Sequence, residues 1–191
     1  MKARSTLRVA VTLAALAAPS LAATSSAAAA TLNGVFKIGS GSYFRMGEPN
    51  GSFFANPYSA DSNKTYTLIT SGSGGGLRTG VVQKAPSPAF DARGDALAGA
   101  IIKPTNFTGI RFGLATTSAP SISVSGGHLS GQINGLVAEW NKQVFKQGNK
   151  VTGTYSASTR RYVLTWSALI KGGPFNGFTG YWRLQGTFSL A

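Results

Sequence analysis

The strongest constraint on the fold is a two-residue alternation in the C-terminal stretch GGPFNGFTGYWRLQGTFSL. Phe178, Trp182, Leu184, Phe188 and Leu190 share one parity, with Gly180 and Gly186 among them; Thr179, Tyr181, Arg183, Gln185, Thr187 and Ser189 share the other. Successive side chains of a strand point to opposite faces, so this pattern predicts a strand with one oily and one polar face. Tyr162, Leu164, Trp166, Ala168 and Ile170 repeat it just upstream. The two segments are expected to lie in one antiparallel sheet with these faces on the core. Gly180 and Gly186, set among large residues, mark kinks or the close approach of a neighbour.

Helix signals are nearly absent from residue 31 onward. Short alternating segments are separated by turn residues at the spacing of sandwiches and barrels. Strands are predicted over 32–38, 43–46, 64–70, 77–83, 100–103 and 107–116. Residues 121–125 and 129–140 form a hairpin across Gly126-Gly127, a further short strand starts at Val144, and 151–155 and 161–170 form a second hairpin. FDARGDALAG at 90–99 is the least sheet-like stretch and reads as a turn or a single helical turn. A weak internal echo links FTGIRFGLAT at 107–116 to FTGYWRLQGT at 178–187. The expected fold is all-β: a single antiparallel β-sandwich or β-barrel of about eight to ten short strands.

Residues 1–30 read as a cleaved secretory signal peptide: Lys2, Arg4 and Arg8, an apolar run from Val9, then small residues through Ala30. Cleavage fits after Ala22 or after Ala30; alternation beginning at Leu32 favours the second. Residues 31–191, 161 in all, form the single β-rich domain. The expected location is secreted or extracellular, with association with the cell envelope as an option. The chain has no Cys, so its stability rests on burial and sheet hydrogen bonds.

From residue 31 on, 15 basic residues face five acids, a net charge of about +10. Such a field attracts anionic partners: wall polymers, membrane surfaces, acidic polysaccharides and free nucleic acid. The bases are scattered, no basic tail exists, and no specific nucleic-acid recognition is expected.

Catalytic resources are thin. Thiol chemistry and Cys-ligated metals are impossible without Cys, and a single His, His128, cannot build a His-rich site. His128 follows Gly126-Gly127 and reads as a solvated turn residue. Glu139, Asp91 and Asp95 are the only carboxylates placed to suggest acid–base work; Glu139, beside Trp140, also reads as an ordinary surface residue at a strand end. The Gly-rich SGSGGGLRTG lacks the Gly-Lys-Ser/Thr of a phosphate loop and reads as a flexible loop. Asn63-Lys64-Thr65 and Asn106-Phe107-Thr108 match the glycosylation pattern. No catalytic residue, metal site or cofactor is expected.

The remaining candidates are aromatic residues interleaved with bases. Tyr43-Phe44-Arg45 and Tyr181-Trp182-Arg183 repeat one arrangement, with Tyr and Arg on one strand face and a large aromatic on the other. Tyr43, Arg45, Tyr181 and Arg183 are therefore the candidate binding residues, able to hold a sugar ring, a base or an anionic group by stacking and charge. The alternative is cross-strand pairing that only supports the sheet.

APSPAFDARGDALAGAIIKPTNFTGIRFG and WSALIKGGPFNGFTGYWRLQGTF resemble a family of secreted, mainly actinobacterial β-rich proteins with no known activity. The likeness runs from about Tyr43 to Phe188, and its most specific part is the ending GGPFNGFTG-x-W-x-L-x-GTF. It implies a secreted β-domain and carries over no functional residue. Relatives carry a Cys in the region of Ser59 to Lys64, where this chain has none. The expected function is thus a non-enzymatic secreted domain that binds or coats anionic cell-envelope or extracellular polymer. A membrane-associated or pore-forming β-barrel and a small carboxylate-dependent hydrolase are the alternatives.

Overall fold

The computed structural model describes residues 28–191. Residues 1–27 of the expected signal peptide, with the Ala22 junction, lie outside the described residues; the Ala30–Thr31 junction lies within them. The described chain is all-β, with fourteen strands in chain order: β1 (Ala30–Thr31), β2 (Gly34–Ile38), β3 (Tyr43–Gly47), β4 (Thr67–Leu68), β5 (Leu77–Arg78), β6 (Thr105–Phe107), β7 (Ile110–Thr116), β8 (Ser121–Ser125), β9 (His128–Gln132), β10 (Leu136–Trp140), β11 (Gln143–Lys146), β12 (Lys150–Tyr155), β13 (Arg161–Leu169) and β14 (Thr179–Leu190). One 3-10 turn, Gly173–Phe175, precedes β14.

Ten strands form a large sheet in the order β1-β8-β9-β12-β13-β14-β2-β5, with β3 also on β14 and β4 on β3. It curls into a half-barrel over a four-stranded sheet of order β11-β10-β7-β6. All pairings are antiparallel.

The spine of the large sheet is the β13–β14 hairpin, paired in the register the alternation predicts. Leu164 opposes Leu184, Trp166 opposes Trp182, Tyr162 opposes Gly186 and Ala168 opposes Gly180. Large residues thus face glycine or each other, and the oily parity is buried. The two glycines answer different needs. A Cβ on Gly186, whose φ is 156°, would strike the Lys37 carbonyl of the neighbouring strand; one on Gly180 would strike the Gln147 side chain.

β2 and β3 run in line along β14, joined by a bulge. Between the pairs Ile38–Gly186 and Tyr43–Arg183, residues 39–42 oppose only Leu184 and Gln185. The buried Ser42 hydroxyl closes the gap, donating to the Gln185 carbonyl at 3.0 Å and accepting from its N–H at 2.9 Å. The bulge lets β14 keep β2 on one half and β3 on the other.

The main core lies between the sheets. Phe36, Phe44, Leu164, Trp166, Trp182 and Phe188 meet Phe107, Phe112, Leu114, Leu136, Trp140 and Phe145. The small sheet is covered on its other face as well. Ala98 packs on Ala115 and Val137, Ala96 N–H donates to the Arg111 carbonyl and Thr116 N–H to that of Gln83.

Several strand boundaries differ from the sequence reading, each for a local reason. Residues 129–140 are not one strand: the chain turns at Asn134-Gly135, and β9 joins the large sheet while β10 joins the small one. Residues 107–116 hold a hairpin tip, because Thr108 and Gly109 take φ of 54° and 92°, a two-residue turn between β6 and β7. The two FTG segments are therefore not equivalent: the first is a turn and the second enters β14. Strands expected over 64–70 and 77–83 shrink to two residues each, and Ile102 of the 100–103 segment makes only a single bridge to Ser71. That bridge belongs to a close approach of loops, where Gly72 and Gly74 lie against the backbone of Gly99, Ala100 and Ile102.

Candidate functional site

The four candidate residues meet on the outer face of the large sheet. Tyr43 of β3 stands opposite Arg183 of β14, and Arg45 stands opposite Tyr181. Antiparallel pairing thus turns two Tyr-x-Arg segments far apart in sequence into a checkerboard, each Arg beside a Tyr of the other strand. Directly opposed residues lie about 4.5–5.5 Å apart, close enough for ring and guanidinium to interact.

Arg45 is enclosed by rings. Its guanidinium carbon lies 3.7 Å from the Phe53 ring centroid, 5.1 Å from that of Tyr66 and 5.9 Å from that of Tyr181. Its Nη1 donates to the Tyr66 hydroxyl at 3.1 Å, and its buried Nε has no hydrogen-bond partner. Tyr66 in turn packs edge-on against Tyr43, centroids 4.6 Å apart. Cation–π attraction favours this arrangement. Arg45 holds the aromatic platform together, while Tyr181, 39% exposed, and Phe53, 38% exposed, offer its surface.

Arg183 is oriented by Gln185, whose Oε1 accepts from its Nε at 3.1 Å and its Nη2 at 3.0 Å. The Gln185 amide is itself held by the Ser40 carbonyl at 2.7 Å. Next to this pair the sheet forms a shallow hollow lined by Tyr43, Arg45, Lys150, Thr152, Thr165 and Tyr181. Lys150, Thr152 and Thr165 were not among the candidates, although their exposed parity in β12 and β13 signals them. Phe53 lies outside the strands and carries no periodic signal; Tyr66 falls in the 64–70 segment expected as a strand but just outside β4, the two residues that form one.

The electrostatics of this face are one-sided. No strand of the large sheet contains Asp or Glu, whereas Lys37, Arg45, Arg78, Lys150, Arg161 and Arg183 all lie in its strands. Elsewhere the acids are withdrawn from solvent: Asp95 and Glu139 are buried, and Glu48, Asp61 and Asp91 are half-buried. The surface is therefore more basic than the net charge conveys.

Asp91 and Asp95 are engaged by hydrogen bonds within the fold, and Glu139 is buried with one oxygen unpartnered. Asp95 accepts from the Arg111 backbone N–H at 2.8 Å and from its Nε at 2.9 Å, with Nη2 also at 2.9 Å. That backbone hydrogen bond, with the guanidinium, holds its carboxyl below the ordinary range against the opposing effect of burial. Asp91 Oδ1 accepts from the Asp95 N–H and shapes the turn. Glu139 is not the surface residue its sequence position suggests. It is 3% exposed, on the face of β10 that carries Val137 and lies beneath the Ala96–Ala98 segment; its Oε2 has no hydrogen-bond partner. Burial pushes its carboxyl up. His128 is exposed at the start of β9, opposite Ser125 and Thr154. Among the described residues no three His, Asp or Glu side chains gather to hold a metal ion.

No protein-family model, curated protein or solved structure matches the chain. The functional reading therefore comes from the geometry of this face.

Proposed function

We propose that the protein is a secreted, non-enzymatic β-domain whose large sheet binds an anionic cell-envelope or extracellular polymer on its outer face. The observation that carries this is the register: Tyr43 beside Arg183 and Arg45 beside Tyr181, in a sheet whose strands hold six Lys and Arg and no acid. A positive field draws the polymer in, and the exposed Tyr181 and Phe53 rings add contacts that salt does not screen. The Lys2-Arg4-Arg8 leader with its apolar run supports export, and N-terminal sequencing of protein from the culture medium tests it, with Thr31 expected as the first residue.

Among the described residues no helix is long and apolar enough to cross a membrane. The oily parity of β13 and β14 points into the core, whereas a membrane barrel turns that parity outward; this favours the polymer-binding reading over a pore. The experiment is a salt series. The purified protein is tested for retention on whole cells, a teichoic-acid-type polymer and DNA from low to high salt. Retention on one polymer that survives about 0.3 M salt, well inside the screened regime, supports a site. Equal binding to every anion that vanishes with salt leaves only net charge.

A further inference from the structure

The outer face carries a second pattern that the Tyr/Arg platform does not absorb. The pairings chain into one row across seven strands: Tyr43, Arg183, Thr165, Thr152, Ser130, Ser123 and Thr31. Five successive members beyond Arg183 carry hydroxyls. A parallel row continues from Arg45 and Tyr181 to Ser167, and Lys150, Gln132 and Ser121 face one another on the same side.

These hydroxyls are unspent. Buried hydroxyls of this protein close gaps in the fold, as Ser42 and Thr79 do, and the half-buried Ser71 does the same. Thr31, Ser123, Ser130 and Thr152 instead make no side-chain hydrogen bond among the described residues, and Thr165 reaches the Thr152 carbonyl only at 3.5 Å. Charge is also unevenly distributed. Lys37, Arg45, Lys150, Arg161 and Arg183 lie on β2, β3, β12, β13 and β14, while the outward side chains of β8 are Ser121, Ser123 and Ser125 and those of β9 are His128, Ser130 and Gln132.

We propose that the polymer is a linear acidic glycan laid across the strands, its acid groups at the Arg183–Lys150 end and its sugar hydroxyls on the Thr/Ser row. This rests on the polymer-binding reading and narrows it. The row spans six strand spacings of about 4.8 Å, roughly 29 Å, and each spacing is close to the advance per sugar of an extended glycan. A uniformly charged chain such as polyphosphate or nucleic acid needs cations along its length, and the β8–β9 half of the row offers it hydroxyls. A glycan presents hydroxyl donors and acceptors along its whole length. Tyr181 supplies a ring for the apolar face of a sugar at the charged end.

The test is calorimetric titration of the full chain with gluco- and xylo-oligosaccharides of two to eight sugars that carry uronic acid at one end only, and with polyphosphate of matching length. The variant Ser130→Ala/Ser123→Ala removes two row hydroxyls of β9 and β8 without creating a cavity, and Arg183→Gln removes the guanidinium at the charged end. The expected result is affinity for one of the glycans that rises with length to about six or seven sugars, the number of strands crossed. Ser130→Ala/Ser123→Ala then lowers hexamer affinity at least about five-fold, as lost hydrogen bonds would, and leaves the dimer and polyphosphate unchanged. The glycan assignment is overturned if affinity for both glycans is flat beyond two or three sugars, if the double variant binds the hexamer like the native protein, or if polyphosphate binds more tightly than either glycan. Polyphosphate binding that still depends on Arg183 would then leave the polymer-binding reading standing. No binding of any probe, whatever the residue at 183, overturns both.

Discussion

The Trp182 indole N–H donates to Oε1 of Gln147 at 3.0 Å in the centre of the core. Gln147 is 1% exposed, and its backbone carbonyl accepts from the Trp166 indole at 2.8 Å. The two indoles lie parallel, 5.7 Å between centroids and 4° between planes. One residue from the β11–β12 connection thus satisfies both buried indoles of the β13–β14 hairpin, where an unpaired polar group is costly. Replacing Gln147 by Leu leaves the Trp182 N–H without its acceptor and should cost about 1–3 kcal/mol. Urea unfolding followed by Trp fluorescence reads this as a lower midpoint at unchanged slope.

The same amide explains Gly180, since a Cβ there collides with Gln147 Oε1 and comes within 3.1 Å of Phe44. Gly180→Ala should destabilise by about 1–3 kcal/mol through overpacking. In a Gln147→Ala background the space exists and most of that loss should disappear. A double-mutant cycle measures the coupling; additive effects would show that the crowding lies elsewhere.

Ser42 substitutes for the backbone at the bulge where β14 changes partners. Ser42→Ala removes both hydrogen bonds to Gln185 and should cost about 1–3 kcal/mol. Because Gln185 also orients Arg183, the same variant should weaken polymer binding. Denaturation and binding measured on one preparation check both.

Two carboxylates should give stability opposite pH dependences. The carboxyl of Glu139 is raised above its ordinary 4.5 by burial. Its contribution is fully present below that value and is lost as pH rises through the raised folded value. Glu139→Gln should therefore be more stable than the native protein at pH 7, by about 1 kcal/mol for an unpaired buried group, with the gap closing in acid. The carboxyl of Asp95 is lowered below its ordinary 3.8 by the Arg111 backbone N–H and guanidinium. Its contribution is present above 3.8 and is lost as pH falls through the lowered folded value. Asp95→Asn should be less stable at pH 7, the deficit shrinking as pH falls. Thermal midpoints of both variants across pH 2–8 check the signs.

Legibility in the sequence follows how local each cause is. The all-β class and the β13–β14 pairing are visible because a two-residue period reports directly on a half-buried sheet. The β8–β9 and β12–β13 hairpins are visible because their turns are short and their arms adjacent. The meeting of Tyr43 with Arg183 is not: their pairing depends on β2 and β3 running in line along β14, a relation set by a bulge that no period announces. Glu139 looks exposed because it stands at the end of the strand expected over 129–140. It is buried because an aperiodic segment, Ala96–Ala98, lies across the small sheet. The break at Asn134-Gly135 is marked in the sequence only by the turn pair and by a switch of the oily parity from Leu129 and Ile133 to Leu136 and Trp140, where the chain changes sheets.

The central claim is that one face of the large sheet, rather than total charge, binds the polymer. The most direct measurement compares two variants of equal charge on the anionic polymer that retains the native protein at about 0.15 M salt. Arg183→Gln/Lys150→Gln alters the face; Lys103→Gln/Lys142→Gln, both outside the large sheet, alters only the total. The account predicts at least about ten-fold weaker binding for the first pair, roughly 1.4 kcal/mol, and near-native binding for the second. Equal loss in both would contradict it.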